Sequence, residues 1–399
     1  VSLPASTPGA PASPGAPLRV GLVTDCYLPQ IGGIEMQVHD LARHLQRAGH
    51  EVIVITPTDG PAEVDGVPVH RLDVPLLPFS IPFTPKTFRL VSGLLRQERI
   101  DVAHFHGGIV SPLAYLAAAS AQARGIPTVV TTHCLWSYAT PVFALLDRAF
   151  RWSEWDAVLS AVSDVAAAPI RRITGGGRDV LVLPNGIDNR SWQVEPIDTD
   201  PRTVTLVSVM RLAPRKRPLQ LLKMVRKVRA RAPEVRLRLL VIGDGPERPS
   251  LERYIRTQGL GDVVQLVGRL SREQIRRVYA TADVFVAPAN LESFGIAALE
   301  ARCAGLPVVA KARTGIREFV EHGREGLLAH SDRDMVDQLV RIVRDRELRL
   351  LIAKNNRETL APVDWEDVVE MNVAAYRSAI AGFTRRPLRP ARVTSRATP

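Results

Sequence analysis

The sequence predicts an α/β protein of two doubly wound, Rossmann-like domains whose facing strand ends border a cleft. Two observations carry this prediction. Short apolar runs of strand length alternate with segments of helical period in two successive series, the pattern of parallel sheets covered on both faces. A polar, proline-containing stretch over residues 191–201 separates the two series. With 399 residues the chain is long enough for two or three cores at roughly 100–200 residues per domain.

The first series opens with the apolar strand Arg19–Thr24, then a loop containing Gly32 and Gly33. In the helix that follows, Met36, Val38, Leu41, Ala42 and Leu45 recur near the 3.6-residue period, and Gly49 closes it. Strands are predicted at Glu51–Thr56, Asp101–Phe105, Pro127–Thr132, Ala157–Ala161 and Val180–Leu183, with a helix over Leu113–Ala123. The second series places strands at Val204–Ser208, Leu237–Ile242, Val263–Leu266, Val284–Ala287 and Pro307–Ala310, with helices between. Three helices follow, at Arg333–Arg344, Glu347–Thr359 and Trp365–Ile380. The predicted organisation is a disordered leader over 1–17, a domain over 18–190, a linker over 191–201 and a second domain over 202–364. A helix over 365–380 and a disordered, Arg- and Pro-rich tail over 381–399 complete it.

Composition narrows the class. Hydrophobic residues make up 46% and charged residues 23%, as in a globular protein, and no apolar run approaches the roughly 18–20 residues that span a bilayer. The Pro-, Ala- and Ser-rich leader lacks the basic start and apolar core of a signal peptide. Cys26, Cys134 and Cys303 lie far apart without the spacing of a metal or redox site, which fits reduced thiols in a cytoplasm. The net charge of +11 is local: residues 202–280 carry 19 Lys or Arg against 6 Asp or Glu. The stripe Lys223, Arg226, Lys227, Arg229 and Arg231 reads either as a solvated helix face or as a surface for phosphates, nucleic acid or an anionic membrane. A nucleotide- or nucleic-acid-binding regulatory protein on the same fold is the alternative class, but the aromatic interleaving of a single-strand binder is missing. An oxidoreductase is opposed by the lack of Gly-x-Gly-x-x-Gly after the first strand.

The segment richest in chemistry runs from Ala289 to Val309, strand to loop to helix to strand. A helix beginning near Phe294 to Ile296 would aim unpaired N–H groups and its positive dipole end at a ligand, and Gly295 would let an anion approach the backbone. Glu292 stands at its mouth, and Glu300, eight residues on, falls within roughly 80° of the same helical face. Two carboxylates so placed would grip hydroxyls at opposite ends of one ligand.

Embedded in Ser293-Phe-Gly-Ile and Ala304-Gly-Leu-Pro-Val-Val309, this pattern resembles the Glu-x7-Glu motif of the retaining glycosyltransferases of family 4, which have the GT-B fold. The likeness runs from Val20 to about Ile380. Asp25 to Glu35, Thr131-Thr-His133, Pro184-Asn-Gly-Ile-Asp188, Arg211 with Lys216, and Gly243-Asp-Gly-Pro246 agree with it in order and spacing. The stretches Tyr27–Glu35 and Thr131–His133 are similar to those of enzymes adding N-acetylglucosamine to phosphatidylinositol, and of mannosyl- and glucosyltransferases acting on inositol lipids.

The resemblance implies an acceptor-binding first domain, a nucleotide-sugar-binding second domain, and a last helix returning to the first. It implies that Arg211 and Lys216 neutralise the donor diphosphate, that Glu292 holds hydroxyls of the donor sugar, that Ser293 is donor-binding, and that Phe294, Gly295 and Ile296 offer backbone donors. Glu300 would bind the ribose, Gly268, Arg269 and Leu270 would border the base, Gly32 and Gly33 would face the donor phosphate and acceptor, and His133 would contact the transferred sugar. Domain closure would then exclude water. Beside these roles, Gly32-Gly33 also reads as a strand-to-helix turn and Asp244 as a turn residue. His104 and His106 read as structural, one facing in and one out at a strand end. The expected reaction moves GlcNAc, glucose or mannose from a UDP- or GDP-sugar, with UDP favoured, to a hydroxyl acceptor, an inositol lipid or another glycolipid or glycan. It proceeds with retention and needs neither metal nor other cofactor. The expected place is the cytoplasm, with peripheral contact at the inner face of an anionic membrane and no nucleic-acid partner.

Overall fold

The computed structural model describes residues 15–384, apart from 31, 75, 78–80, 83–84, 110, 137–138, 198–199 and 201. The expected leader up to residue 14 and the expected tail from residue 385 lie outside the described residues.

The first sheet is built from β1 (Arg19–Thr24), β2 (Glu51–Thr56), β3 (Glu63–Val64) and β4 (Val67–Arg71). A small hairpin, β5 (Leu76–Leu77) and β6 (Ile81–Pro82), stands apart, and the main sheet continues with β7 (Val102–Gly107), β8 (Thr128–Thr132), β9 (Val158–Ala161) and β10 (Val180–Val182). Its order is β10-β9-β8-β7-β1-β2-β4-β3. The central strand β1 pairs in parallel with β2 and with β7, and Val20, Leu22 and Val23 on it are fully buried, as a strand covered on both faces requires. The helices here are α1 (Gly33–Arg47), α2 (Pro85–Gln97), α3 (Pro112–Gln122), α4 (Thr140–Phe150), α5 (Asp164–Ile173) and the short α6 (Asn189–Trp192).

The second sheet holds β11 (Thr203–Val209), β12 (Arg236–Ile242), β13 (Val264–Gly268), β14 (Val284–Ala287), β15 (Val308–Lys311) and β16 (Gly326–Ala329), all parallel, in the order β13-β12-β11-β14-β15-β16. This is the doubly wound order in which the winding reverses between the first and fourth strands. Helices α7 (Pro218–Arg231), α8 (Arg248–Thr257), α9 (Arg272–Tyr279), α10 (Ile296–Cys303), α11 (Asp332–Arg344), α12 (Arg346–Glu358) and α13 (Trp365–Thr384) complete the chain. Leu206, Leu239 and Val241 of the sheet meet Leu221, Leu222 and Val225 of α7 and Leu339 of α11 in one buried cluster.

Two compact units result: among the described residues, 15–131, 146–159 and 369–384 fall in one, and 132–145 with 160–368 in the other. The last helix runs to Thr384, four residues beyond the predicted Ile380, because no proline interrupts it before Pro387. The expected linker is not free of structure. Trp192 is buried beside Tyr279, with ring centroids 6.1 Å apart, and Ile197 donates its N–H to the Ala280 carbonyl at 2.8 Å.

Candidate active site

In the second unit, the loops after β11 and β14 leave the carboxyl edge of the sheet where its winding reverses, the position at which open α/β sheets bind ligands. The loop after β11 carries Arg211 and Lys216. It lies against the loop after β12: Leu212 donates its N–H to the Asp244 carbonyl at 2.9 Å, and Glu247 returns one to Leu212 at 2.9 Å. Gly243, at φ 125°, has no room for a side chain, since a Cβ there would collide with the Met210 carbonyl. Asp244 closes its own turn by accepting the Gly245 N–H at 2.8 Å, with Arg269 Nε 3.9 Å away. Arg269 itself is mostly exposed and Leu270 is half-buried.

Lys216 ends a short 3-10 turn, Pro214–Lys216, and Arg217 at φ 60° turns the chain into α7. The Lys216 ammonium forms an ion pair with the Glu292 carboxylate, with 24% and 18% of the two side chains exposed. Arg211, five residues before Lys216 in the loop after β11, keeps an exposed side chain. The Glu292 loop is anchored on both sides. Gly315 donates its N–H to the Glu292 carbonyl at 2.9 Å, and Arg217 reaches the Asn290 side chain at 2.8 Å and the Pro288 carbonyl at 3.3 Å. Arg217 also grips Asp332, the first residue of α11, which accepts Lys311 Nζ at 2.7 Å and Gln220 Nε2 at 3.0 Å as well. The bonds from Arg217, reinforced by Lys311, hold the Asp332 carboxyl far below the ordinary carboxylate range. Sequence reasoning missed Arg217, Lys311 and Asp332: 115 residues separate the acid from its arginine, and no local spacing announces the pair.

The helix expected after Glu292 is α10, and Gly295 at φ 93° is its N-cap, just ahead of the first turn. That left-handed residue breaks the continuity assumed for the two glutamates. Glu292 sits in the loop before the helix, so the roughly 80° relation of a shared helical face does not apply to the pair. Glu300 is buried on α10 close to Tyr279, whose phenol is raised by burial and then by the Glu300 charge. Phe294 turns its ring into the core against Phe319, at 5.5 Å between centroids, which leaves its main chain for the site, beside the half-buried Ile296.

His133 follows β8 and belongs to the same unit as Glu292. Burial pushes its imidazole down to about 4, so it is neutral near pH 7. Its carbonyl accepts the Ser293 hydroxyl at 2.6 Å, and the Ser293 carbonyl in turn accepts the Ser163 hydroxyl at 2.5 Å. The structure thus brings His133, Lys216, Glu292, Ser293 and the start of α10 into one unit.

Gly32 and Gly33 belong to the other unit, at the start of α1, where Gly32 is the extended N-cap and the Glu35 carboxylate lies where a Gly32 side chain would stand. Asp25, at the end of β1, accepts the Leu113 N–H at 3.2 Å, while burial pushes its carboxyl up to about 6. His104 and His106 differ from expectation: both are buried and their rings lie 3.9 Å apart. Residues two apart on a strand share a face, so one could not point out while the other pointed in. His104 bonds Tyr376 at 2.8 Å and Thr131 at 2.6 Å.

The basic stripe of α7 is exposed and partly paired: Arg226 bonds Gln258, Arg229 bonds Asp262 at 3.1 Å, and Arg231 bonds Asp337 at 2.5 Å. Among the described residues, no helix is long and apolar enough to cross a membrane, and no three His, Cys, Asp or Glu side chains group as a metal site.

Comparison with known proteins defines the class. The family described as Glycosyl transferases group 1 matches residues 192–359, and Glycosyltransferase Family 4 matches residues 31–190. The GDP-mannose-dependent alpha-mannosyltransferase of Mycolicibacterium smegmatis is 30% identical over 348 residues, 79% of this chain and 85% of that protein. The phosphatidylinositol N-acetylglucosaminyltransferase gpi3 subunit of Schizosaccharomyces pombe is 26% identical over 371 residues, 90% of this chain and 80% of that one. Among solved structures, the sucrose-phosphate synthase of Thermosynechococcus elongatus superposes with a TM-score of 0.74 at 21% identity, covering 91% of this chain and 99% of that one. HepE of Anabaena, solved with UDP and glucose, superposes with a TM-score of 0.70 at 20% identity, covering 90% and 100%. These likenesses fix two Rossmann-like units of the GT-B fold. The chain belongs to the group 1, family 4 glycosyltransferases.

Proposed function

We propose that this glycosyltransferase moves a hexosyl group from a nucleotide diphosphate sugar, a UDP-sugar by preference, to a hydroxyl of an inositol lipid, with retention at the anomeric carbon and without a divalent cation. The observation that carries the reading is the Lys216–Glu292 pair at the reversal point of the second sheet, beside the N-terminus of α10. The glycosidic C1–O bond breaks with its electron pair going to the diphosphate oxygen. The acceptor oxygen bonds C1 from the same face, and its proton passes to the leaving diphosphate.

Lys216 and Arg211 stabilise the negative charge that gathers on the diphosphate, the task a metal performs elsewhere. Glu292 accepts hydroxyls of the sugar, the main chain of Phe294 to Ile296 donates to it or to the phosphate, and neutral His133 hydrogen-bonds the transferred sugar without adding charge. Ser293 serves the donor through this loop, Glu300 takes the ribose, Arg269 and Leu270 border the base, and Gly32 and Gly33 accommodate phosphate and acceptor. UDP and glucose in HepE support the donor, and the inositol lipid named for the gpi3 subunit supports the acceptor. Exposed Lys223 and Lys227 suit peripheral contact with an anionic bilayer at its cytoplasmic face.

Replacing Glu292 or Lys216 by alanine is expected to lower transfer by orders of magnitude in a folded protein, and normal turnover in both variants would sink the reading. Calorimetry with UDP, GDP and their sugars, with and without magnesium, identifies the donor. Binding and turnover that vanish with chelator would overturn metal independence.

A further inference from the structure

The two serine hydroxyls beside Glu292 do a task that the proposed donor contacts leave out. Ser163 is fully buried at the N-cap of α5. Its oxygen accepts the Ala166 N–H at 3.1 Å, which satisfies the helix end, and its proton goes to the Ser293 carbonyl at 2.5 Å. Ser293 passes its own proton to the His133 carbonyl at 2.6 Å. Two directed bonds therefore run in series from the α5 cap, through the residue after Glu292, to the main chain of His133. A second tie lies parallel to them: Asp164, next to Ser163, donates its N–H to Glu318 Oε1 at 3.1 Å. Gly315, on the same turn as Glu318, donates to the Glu292 carbonyl, and a Cβ on Gly315 would collide with the Ser293 carbonyl.

We infer that Ser163 and Ser293 are positioning residues that fix the distance between the His133 main chain and the Glu292 loop, with the Ser293 hydroxyl spent on protein rather than on the donor. This inference rests on the proposed roles of His133 and Glu292. Both bonds are short, and at least one member of each is buried, so water is a poor substitute for either partner. The hydroxyls of both serines are committed to main-chain carbonyls while Lys216 pairs with the Glu292 carboxylate, so the binding of a nucleotide diphosphate does not depend on the clasp. Alignment of the sugar between His133 and Glu292 does, and small misplacements of reacting groups cost rate steeply.

The variants that separate the roles are Ser293→Ala, which removes the donor to His133, and Ser163→Asp, whose carboxylate still caps α5 but cannot donate to Ser293. Ser293→Thr and Ser163→Thr keep both hydroxyls. Three measurements apply to all four variants and to Glu292→Ala: affinity for UDP and GDP by calorimetry, kcat and KM with the sugar of the nucleotide that binds, and the pH titration of the His133 imidazole by NMR. The first two variants are expected to lose roughly 10- to 100-fold in kcat, with nucleotide affinity and KM within about twofold of the parent. Their His133 should titrate nearer its ordinary value as water reaches it, and the threonines should restore both properties. Unchanged kcat and His133 titration, or nucleotide affinity falling in step with kcat, would overturn the inference. Full turnover by Glu292→Ala would instead bring down the site reading itself, whereas an inactive Glu292→Ala beside normal serine variants removes only the clasp.

Discussion

Arg217 meets Asp332 fork to fork, Nη1 on Oδ1 at 2.9 Å and Nη2 on Oδ2 at 2.6 Å. The same acid holds Lys311, which is almost fully buried, so one carboxylate closes two cations and, through Arg217, the stretch that leads to Glu292. Asp332→Asn keeps the shape and removes the charge. It is expected to cost roughly 2 kcal/mol, the scale of hydrogen bonds to charged groups, and to lower turnover further by loosening the loop. Urea unfolding and a kinetic assay check this; unchanged stability would show that Lys311 and Arg217 have other counter-ions.

The ammonium of Lys216 is paired with the Glu292 carboxylate. An incoming diphosphate must take it over, so Glu292→Gln is expected to tighten UDP or GDP binding severalfold while turnover falls. Lys216→Ala is expected to weaken nucleotide binding by roughly 10-fold or more, the worth of one charge-assisted bond. Calorimetry reads both, and weaker binding in Glu292→Gln would refute the competition.

Two buried groups bend the pH dependence of stability in opposite directions. His133 takes its proton near 6.5 when unfolded but only near 4 when folded, so the unfolded chain binds more protons between those values and stability falls as pH drops from 6.5 to 4. Asp25 keeps its proton to about 6 in the folded protein against 3.8 unfolded, so its contribution is lost as pH rises through that window. Each amounts to something on the order of 3 kcal/mol at full extent. Relative to the parent, His133→Gln should become more stable toward pH 4, and Asp25→Asn more stable toward pH 7. Denaturant midpoints across pH 4–7 test both, and parallel profiles for parent and variants would contradict the buried states.

Gly295 is expected to resist substitution, because its φ of 93° is left-handed and a Cβ would run into the Ile316 side chain. Gly295→Ala should cost about 1–3 kcal/mol and lower turnover by displacing the start of α10. A variant with parental stability and rate would show that the turn tolerates a side chain.

Much of the frame was legible in the chain. The buried strands of both sheets announced themselves as apolar runs, and Lys216, Glu292 and Gly295 stood in recognisable local contexts. The strand Gly326–Ala329 escaped because its Gly-Leu-Leu-Ala run lacks the β-branched residues that mark the other short strands, and Val67–Arg71 because Pro68 argues against a strand. The serine clasp links residues 130 and 160 positions apart, and Ser, like Arg217 or Asp332, looks the same in sequence whether it faces solvent or a carbonyl. The helical relation of Glu292 to Glu300 failed for a subtler reason: a spacing of eight reads as two turns only when every intervening residue is helical, and Gly295 is not.

The paired arginines of α7 give the surplus of positive charge a mechanical meaning. Arg229 and Arg231 stitch their helix to Asp262, in the turn after α8, and to Asp337 on α11, a belt of ionic seams across the outside of the second sheet. Concentrated salt should therefore loosen these seams, and neutralising the two arginines should register as a slightly lower melting temperature, since exposed pairs contribute only about 0–1 kcal/mol each.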